Sequence, residues 1–288
     1  MMKGIKQSNK TTKNFIAVLI YVALTLWALL AIVPFLWTFL ASFKPRFHIV
    51  VRPLELPFNR YFTFENYKKI FGGSLNIFTS YINSIYISGL VVLFTVTISI
   101  FAAFVLARFN FKLKHIIEIV VIVCMMFPAF ALLFPVIKIL ASINMFGTKT
   151  GVVLPQIALN VGFTTLLLTG FLKSLPVEVE EAAYIDGAKV PRVLMSIIIP
   201  MMRSAIVTSM IFVFIWSYND LFLQMIIITD EKDFPISLLL NRLASKESGF
   251  DHGKMASAVI LVSFPIMLVY FMLQRHIIKG LTAGAVKG

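Results

Sequence analysis

Charge is scarce in this chain of 288 residues: only 14% are Asp, Glu, Lys or Arg, against roughly 25% in an ordinary soluble domain. So little charge cannot coat a soluble globule of this size, and it excludes a disordered chain or a long coiled coil. Cysteine is nearly missing. Cys124 is alone and C-x-x-C does not occur, which removes a disulfide scaffold and a dithiol redox site. It sits in the apolar run 120–126, where burial in a helix is expected. The phosphate-cradling pattern G-x-x-x-x-G-K-[ST] is absent. Its nearest fragment, Lys149-Thr150, follows Thr148 where glycine is required, so ATP binding by that device is excluded. The four histidines, 48, 115, 252 and 276, lie scattered over loops and helix ends and never at metal-ligand spacing. No G-x-S-x-G elbow appears, and the apolar runs hold no paired carboxylates. No catalytic residue, metal or cofactor of its own is therefore expected for this chain.

What the chain has in excess is apolar side chain: 59% of it is hydrophobic, with 28 Phe and a mean hydropathy of +0.91. That composition belongs to a polytopic membrane protein. About 20 apolar residues of helix cross a bilayer core, and six runs qualify: 15–43, 81–107, 116–141, 152–172, 201–228 and 255–273. The expected fold is an all-α integral membrane protein of six transmembrane helices. One domain spans 15–278, between an N-terminal tail 1–14 and a C-terminal tail 279–288. The run with Pro128 and Pro135 is doubly interrupted, so a kink or break is expected there. The first run is far longer than the core of a cleavable signal.

The net charge of +13 fits basic residues at membrane borders, facing anionic lipid, better than it fits a nucleic-acid partner. Lys and Arg are nearly balanced between the two sides. The first helix usually sets orientation, and Lys3, Lys6, Lys10 and Lys13 before it put the N-terminus in the cytoplasm. An even number of spans returns the C-terminus there. Of the two long outer loops, 44–80 carries Phe64, Tyr67 and Phe71 at helical spacing. This is either a short amphipathic helix on the membrane surface or a packing loop. The other, 229–254, is charged and mixed.

Between the fourth and fifth runs lies SLPVEVEEAAYIDGAKVPRVLMSIIIP, residues 174–200. Ser174 can cap a helix, and Pro176 suits a first turn. Glu178, Glu180 and Glu181 complement the positive end of a helix dipole. Gly187 suits the position after a helix, where a left-handed conformation carries no Cβ clash. Pro191 can open another helical piece. A bare connection needs only a few residues, so a short acidic helix here, with small Ala182 and Ala183, reads as a docking element.

Glu181-Ala182-Ala183, Gly187, Ile197 and Ile199-Pro200 match the EAA loop of ATP-binding-cassette importer permeases, with Ile199 where Leu is usual. The chain resembles the sugar-importer branch of that family, in particular the six-span partner of the maltose-type permease pair. The residues carrying this are 37–45 (WTFLASFKP), 62–67 (FTFENY), Asn83-Ser84, 102–108 (AAFVLAR) and 280–288 (GLTAGAVKG). The resemblance covers almost the whole chain. It implies a heteromeric importer in a bacterial plasma membrane. An extracellular solute-binding protein delivers a sugar, two permease subunits form the path, and two ATPase subunits bind ATP and Mg. It also implies that Glu181, Ala182, Ala183, Asp186 and Gly187 form a cytoplasmic coupling helix held by an ATPase. The tail 280–288 either reaches the ATPase dimer or is a frayed end. A polyol or glycerol phosphate as substrate, and an ion-coupled secondary transporter, remain the alternatives.

The fifth run concentrates Trp216, Asn219, Asp220 and Gln224. A carboxylate inside an apolar helix costs several kcal/mol unless it faces a cavity or a partner. In one continuous helix from 201 to 228, Asp220 lies about 12 Å from Ile228. Trp216, Asn219, Asp220 and Gln224 would then share one stripe, with Tyr218 packing elsewhere. The stripe reads as lining of the transport path, or as a structural contact to a neighbouring helix or a second permease. Lys138, Gln156 and Asn160 carry the same ambiguity, while Asn83 and Ser84 read as packing or capping groups.

Overall fold

The apolar runs fold as helices in the computed structural model, which describes residues 2–58, 61–72, 76–245 and 251–285. The helices, in order, are α1 (Met2–Ala41), α2 (Arg46–Val51), α3 (Glu65–Phe71), α4 (Ile77–Arg108), α5 (Lys114–Met126), α6 (Leu133–Ser142), α7 (Val153–Lys173), α8 (Glu178–Ile185), α9 (Val190–Val193), α10 (Ile199–Met201), α11 (Arg203–Asn219), α12 (Phe222–Ile227), α13 (Ile236–Ser245) and α14 (His252–Ala285). The protein is all-α, with no strand among the described residues.

Four stretches are long and apolar enough to cross a membrane: Thr12–Ala41, Ile77–Arg108, Val153–Lys173 and His252–Met272. Two bent pairs meet the same test when each is taken together. Lys114–Met126 with Ala129–Ser142 bends by 97°, and Val190–Met201 with Arg203–Asn219 bends by 76°. The first break falls at Pro128, where the doubled prolines pointed. The second has a five-residue π turn, Leu194–Ile198, just ahead of it. The first helix already begins at Met2, ahead of the apolar stretch, and α14 continues to Ala285. Residues 286–288 of the anticipated tail lie outside the described residues. Cys124 is exposed, not buried, because α5 buries none of its side chains within the chain.

The chain forms two units, one of residues 1–72 and 246–261, the other of 73–245 and 262–288. In the first, the most apolar stretch of α1 buries nothing, leaving it to lipid or to another subunit. The loop after it is knotted by its own polar groups. Asn66 donates to the Ser42 and Lys44 carbonyls, both at 2.8 Å. Ser257 donates to the Ser42 carbonyl at 3.1 Å. Phe43 lies among Phe62, Phe64 and Tyr67 at centroid distances of 5.1–5.5 Å. The motifs WTFLASFKP and FTFENY thus meet each other. Of the two readings left open around Tyr67 the helix forms, as α3, with Asn66 and Ile70 buried. Lys44 is 4% exposed, its Nζ donating to the Arg52 and Pro53 carbonyls. Burial holds its ammonium below the ordinary lysine value, against the opposing pull of Glu55.

The second unit is built on α4 and α7. Their contact uses small polar residues, which let helices approach closely without a water-driven core. Ser99 Oγ donates to the Val161 carbonyl at 3.3 Å and accepts from Thr165 at 3.2 Å. One apolar cluster joins Phe104, Leu172, Val193 and Ile198; another joins Ile87, Val153, Val213 and Ile227. Asn83 and Ser84 pin the loop before α13. Asn83 donates to the Lys232 carbonyl at 2.9 Å and accepts from Lys149 Nζ at 2.9 Å, and Ser84 Oγ accepts from the Ile236 amide at 2.8 Å.

The turn ahead of α7 has no room for a side chain. A Cβ on Gly151 would lie 2.1 Å from the Met145 carbonyl oxygen, whereas one on Gly89 meets nothing within 4 Å. Gly151→Ala should therefore destabilise the protein by about 1–3 kcal/mol, the usual cost of overpacking, while Gly89→Ala is neutral or stabilising. Thermal unfolding of the two detergent-solubilised variants checks this, and equal midpoints would refute it.

Candidate functional site

The segment 174–200 folds as α8 followed by the α9–π–α10 run. Three glutamates in its first turn face the positive end of the helix dipole. Ser174 does not cap α8. It closes α7 instead, its Oγ donating to the Phe171 carbonyl at 2.6 Å. α8 ends in a paired backbone motif. The Gly187 amide donates to the Tyr184 carbonyl at 3.0 Å and the Ala188 amide to Ala183 at 2.9 Å. This crossed pair forms when the residue after the cap turns left-handed. Gly187 does so, with φ of +82°.

The helix is fixed from its other side by a pair that sequence reading missed. Arg108, the last residue of α4, donates to Glu180 Oε1 at 2.7 Å, with side chains 10% and 5% exposed. A second Arg108 donor reaches the Leu175 carbonyl at 3.4 Å. Ala183 and Ala188 pack against the apolar cluster of Ala103 and Phe104. Glu180 and Ala183 therefore face inward. Glu181, Ala182, Asp186 and Gly187 are exposed, and Ile185 is 86% exposed. The result is a short helix bolted to α4 and α7 on one side and bare on the other.

The polar residues of the fifth run are not on one helix. α11 stops at Asn219, and Asp220 is extended, at φ −68° and ψ 101°. Its Oδ1 accepts from the Leu223 amide at 3.1 Å, so the carboxylate caps the short α12. The anticipated single stripe is broken for that reason. Asn219 is exposed, its amide donating to the Ile215 carbonyl at 2.9 Å. Gln224 is 1% exposed, donating to the Ser217 carbonyl at 3.0 Å and accepting from Ser237. Tyr218 is buried at 1% exposure, as packing requires.

Trp216 and Asp220 do come together, and α7 supplies what the fifth run alone does not. Gln156 Nε2 donates to Asp220 Oδ2 at 2.6 Å, and Gln156 Oε1 accepts from Ser217 Oγ at 2.6 Å. Asn160, one turn on, donates to the Gln156 carbonyl at 2.8 Å. Trp216, Gln156, Asn160, Ser217 and Asp220 line a cavity of about 250 Å³. Asn219, Gln224 and Lys138 are not among its lining. Lys138 instead sits 5.6 Å from the Phe134 ring.

Residues 95–283 match the family of binding-protein-dependent transport system inner membrane components. The chain belongs to this family. It is thus a multi-pass membrane transport protein. It is 32% identical over 273 residues to the trehalose transport system permease protein SugB of Mycobacterium tuberculosis, covering 92% of this chain and 98% of that one. It is 30% identical to the diacetylchitobiose uptake system permease protein NgcG of Streptomyces coelicolor, over 93% and 88% of the two chains. Among solved structures, a bacterial ABC transporter involved in the import of the acidic polysaccharide alginate has the same fold. The TM-score is 0.80 at 19% identity, over 92% of this permease and 97% of that chain.

Proposed function

We propose that this permease is one of two different membrane subunits of an ATP-driven, binding-protein-dependent importer of a carbohydrate, most naturally an oligosaccharide. The observation that carries this is α8, anchored by Arg108 and Glu180 with its far face uncovered. A helix clamped to the spans and bare towards the outside has the form of a lever seated in another protein. The carbohydrate part rests on relatives named for trehalose and diacetylchitobiose.

On this reading the four long helices and two bent pairs make six spans of a bacterial plasma membrane protein with both termini cytoplasmic. α8 lies on the same side. Glu181, Ala182, Asp186 and Gly187 meet one of two ATPase subunits, which bind ATP and Mg, and Ala183 holds the helix from behind. A solute-binding protein delivers the sugar from outside. The transport path runs beside the break between α11 and α12, where Trp216 and Asp220 reach the cavity. Asn219 and Gln224 serve the break itself.

Reconstitution of the whole complex in proteoliposomes tests the reading. Uptake should require ATP and survive an uncoupler of proton and sodium gradients, and the isolated subunit should bind no ATP. Uptake that collapses with the gradient but persists without ATP would establish an ion-coupled carrier instead.

A further inference from the structure

The cavity beside Asp220 has a chemical bias in its lining. Asn160 is 7% exposed. Its amide nitrogen is committed to the Gln156 carbonyl, and its Oδ1 is buried without a partner. A buried acceptor left unmade costs about 1–3 kcal/mol; Asn160 is one of the residues that line the cavity, so a small turn of its side chain offers this covered acceptor to a donor from outside. The nearby carboxylate of Asp220 accepts from the Gln156 side chain and from the Leu223 and Phe222 amides. Its two oxygens offer about four acceptor sites, so the carboxylate keeps room for a further donor. Trp216 borders the same space, 46% exposed, with its ring held by Phe163 at 5.0 Å and Phe212 at 6.4 Å. No residue lining the cavity carries a positive charge.

The wall thus offers acceptors, one negative charge and an aromatic ring. A guest that suits it brings hydroxyl donors and an apolar C–H face, and carries no negative charge. We propose that this cavity is a subsite for one neutral sugar ring. Asn160 and Asp220 accept hydrogen bonds from its hydroxyls, Trp216 supports its face, and sugars bearing phosphate, sulfonate or uronate groups are turned away by Asp220. The proposal rests on the carbohydrate reading above and adds to it a contact made by this subunit and a substrate class. Gln156 is a positioning residue here: its side-chain amide holds Asp220 against Ser217.

The test uses the full complex with its binding protein in proteoliposomes. Radiolabelled trehalose, maltotriose, diacetylchitobiose and glycerol 3-phosphate are offered in turn. At least one neutral sugar should enter and glycerol 3-phosphate should not. At saturating loaded binding protein, Asn160→Leu and Trp216→Ala should each slow uptake of that sugar tenfold or more. Asn160→Asp, which keeps an acceptor, should recover part of it. In a Cys124→Ala background, Trp216→Cys should react with a water-soluble maleimide, and the transported sugar should protect it. Sugar uptake at the wild-type rate in both Asn160→Leu and Trp216→Ala, with no protection of the Trp216→Cys thiol, would overturn the subsite and leave the importer reading standing. A Trp216→Cys thiol unreactive in every state, with loss of the second permease, would mean that this face is a subunit interface and would also overturn it. Entry of glycerol 3-phosphate and none of the sugars would overturn the carbohydrate reading together with the subsite.

Discussion

Glu180→Ala should abolish uptake while the protein still inserts in the membrane. The substitution leaves the Arg108 guanidinium, 10% exposed, without the carboxylate 2.7 Å away. Breaking a buried ion pair from one side costs about 3–5 kcal/mol, because the remaining charge stays desolvated and unpaired. The cost falls on one joint, between the end of α4 and the first turn of α8. The spans satisfy their backbone groups internally, so the effect appears as loosening of α8 and not as failure of insertion. Three measurements follow: thermal unfolding of the solubilised complex, co-purification of the ATPase, and uptake. Arg108→Met with Glu180→Leu removes both charges and should recover most of the stability, since a well-packed apolar pair often replaces a buried ion pair without loss. Reversing the pair, as Arg108→Glu with Glu180→Arg, should recover part of it. If Glu180→Ala alone unfolds at the wild-type temperature and transports at the wild-type rate, the pair does not hold the helix.

The residues that announced themselves in the sequence are those whose role is local. The long runs became helices α4 and α7 with ends within a few residues of expectation, because apolar length is a property of consecutive residues. Pro128 broke its run, and Gly187 turned left-handed, since a missing N–H or Cβ acts where it stands. Two features stayed hidden. Arg108 and Glu180 are 72 positions apart, and three glutamates in one helical turn look alike until folding buries one. The break after Asn219 has neither Pro nor Gly to mark it. Its trace in the sequence is Asp220, a residue that caps helices as readily as it lines paths. Treating it as a path residue in an unbroken helix placed Asn219 and Gln224 on the wrong stripe. The cavity needed α7 as well, and a pattern within one helix says nothing about the helix beside it.

Gly187→Val should cost most of the uptake through the backbone alone. A Cβ at this position meets nothing within 4 Å, so no clash contributes. The φ of +82° does, because an L-residue there costs roughly 1–2 kcal/mol, and a β-branched one is the least tolerant. The strain acts on the two hydrogen bonds that close α8, from Gly187 to Tyr184 and from Ala188 to Ala183. An eight-residue helix is far below the length that stands alone in water, so losing its closing turn frays the face that carries Glu181, Ala182 and Ile185. Gly187→Asn should keep most of the uptake, since asparagine enters the left-handed region more readily than other residues with a Cβ. Ala182→Trp leaves the backbone alone but places bulk on the exposed face. On the proposed function it should block ATPase assembly with little change in the unfolding temperature of the isolated subunit. The strain account thus predicts the order Gly, Asn, Val for uptake, and the docking account predicts loss at Ala182 without loss of fold. Equal uptake in Gly187→Val and Gly187→Asn would remove the first, and normal ATPase assembly in Ala182→Trp would remove the second.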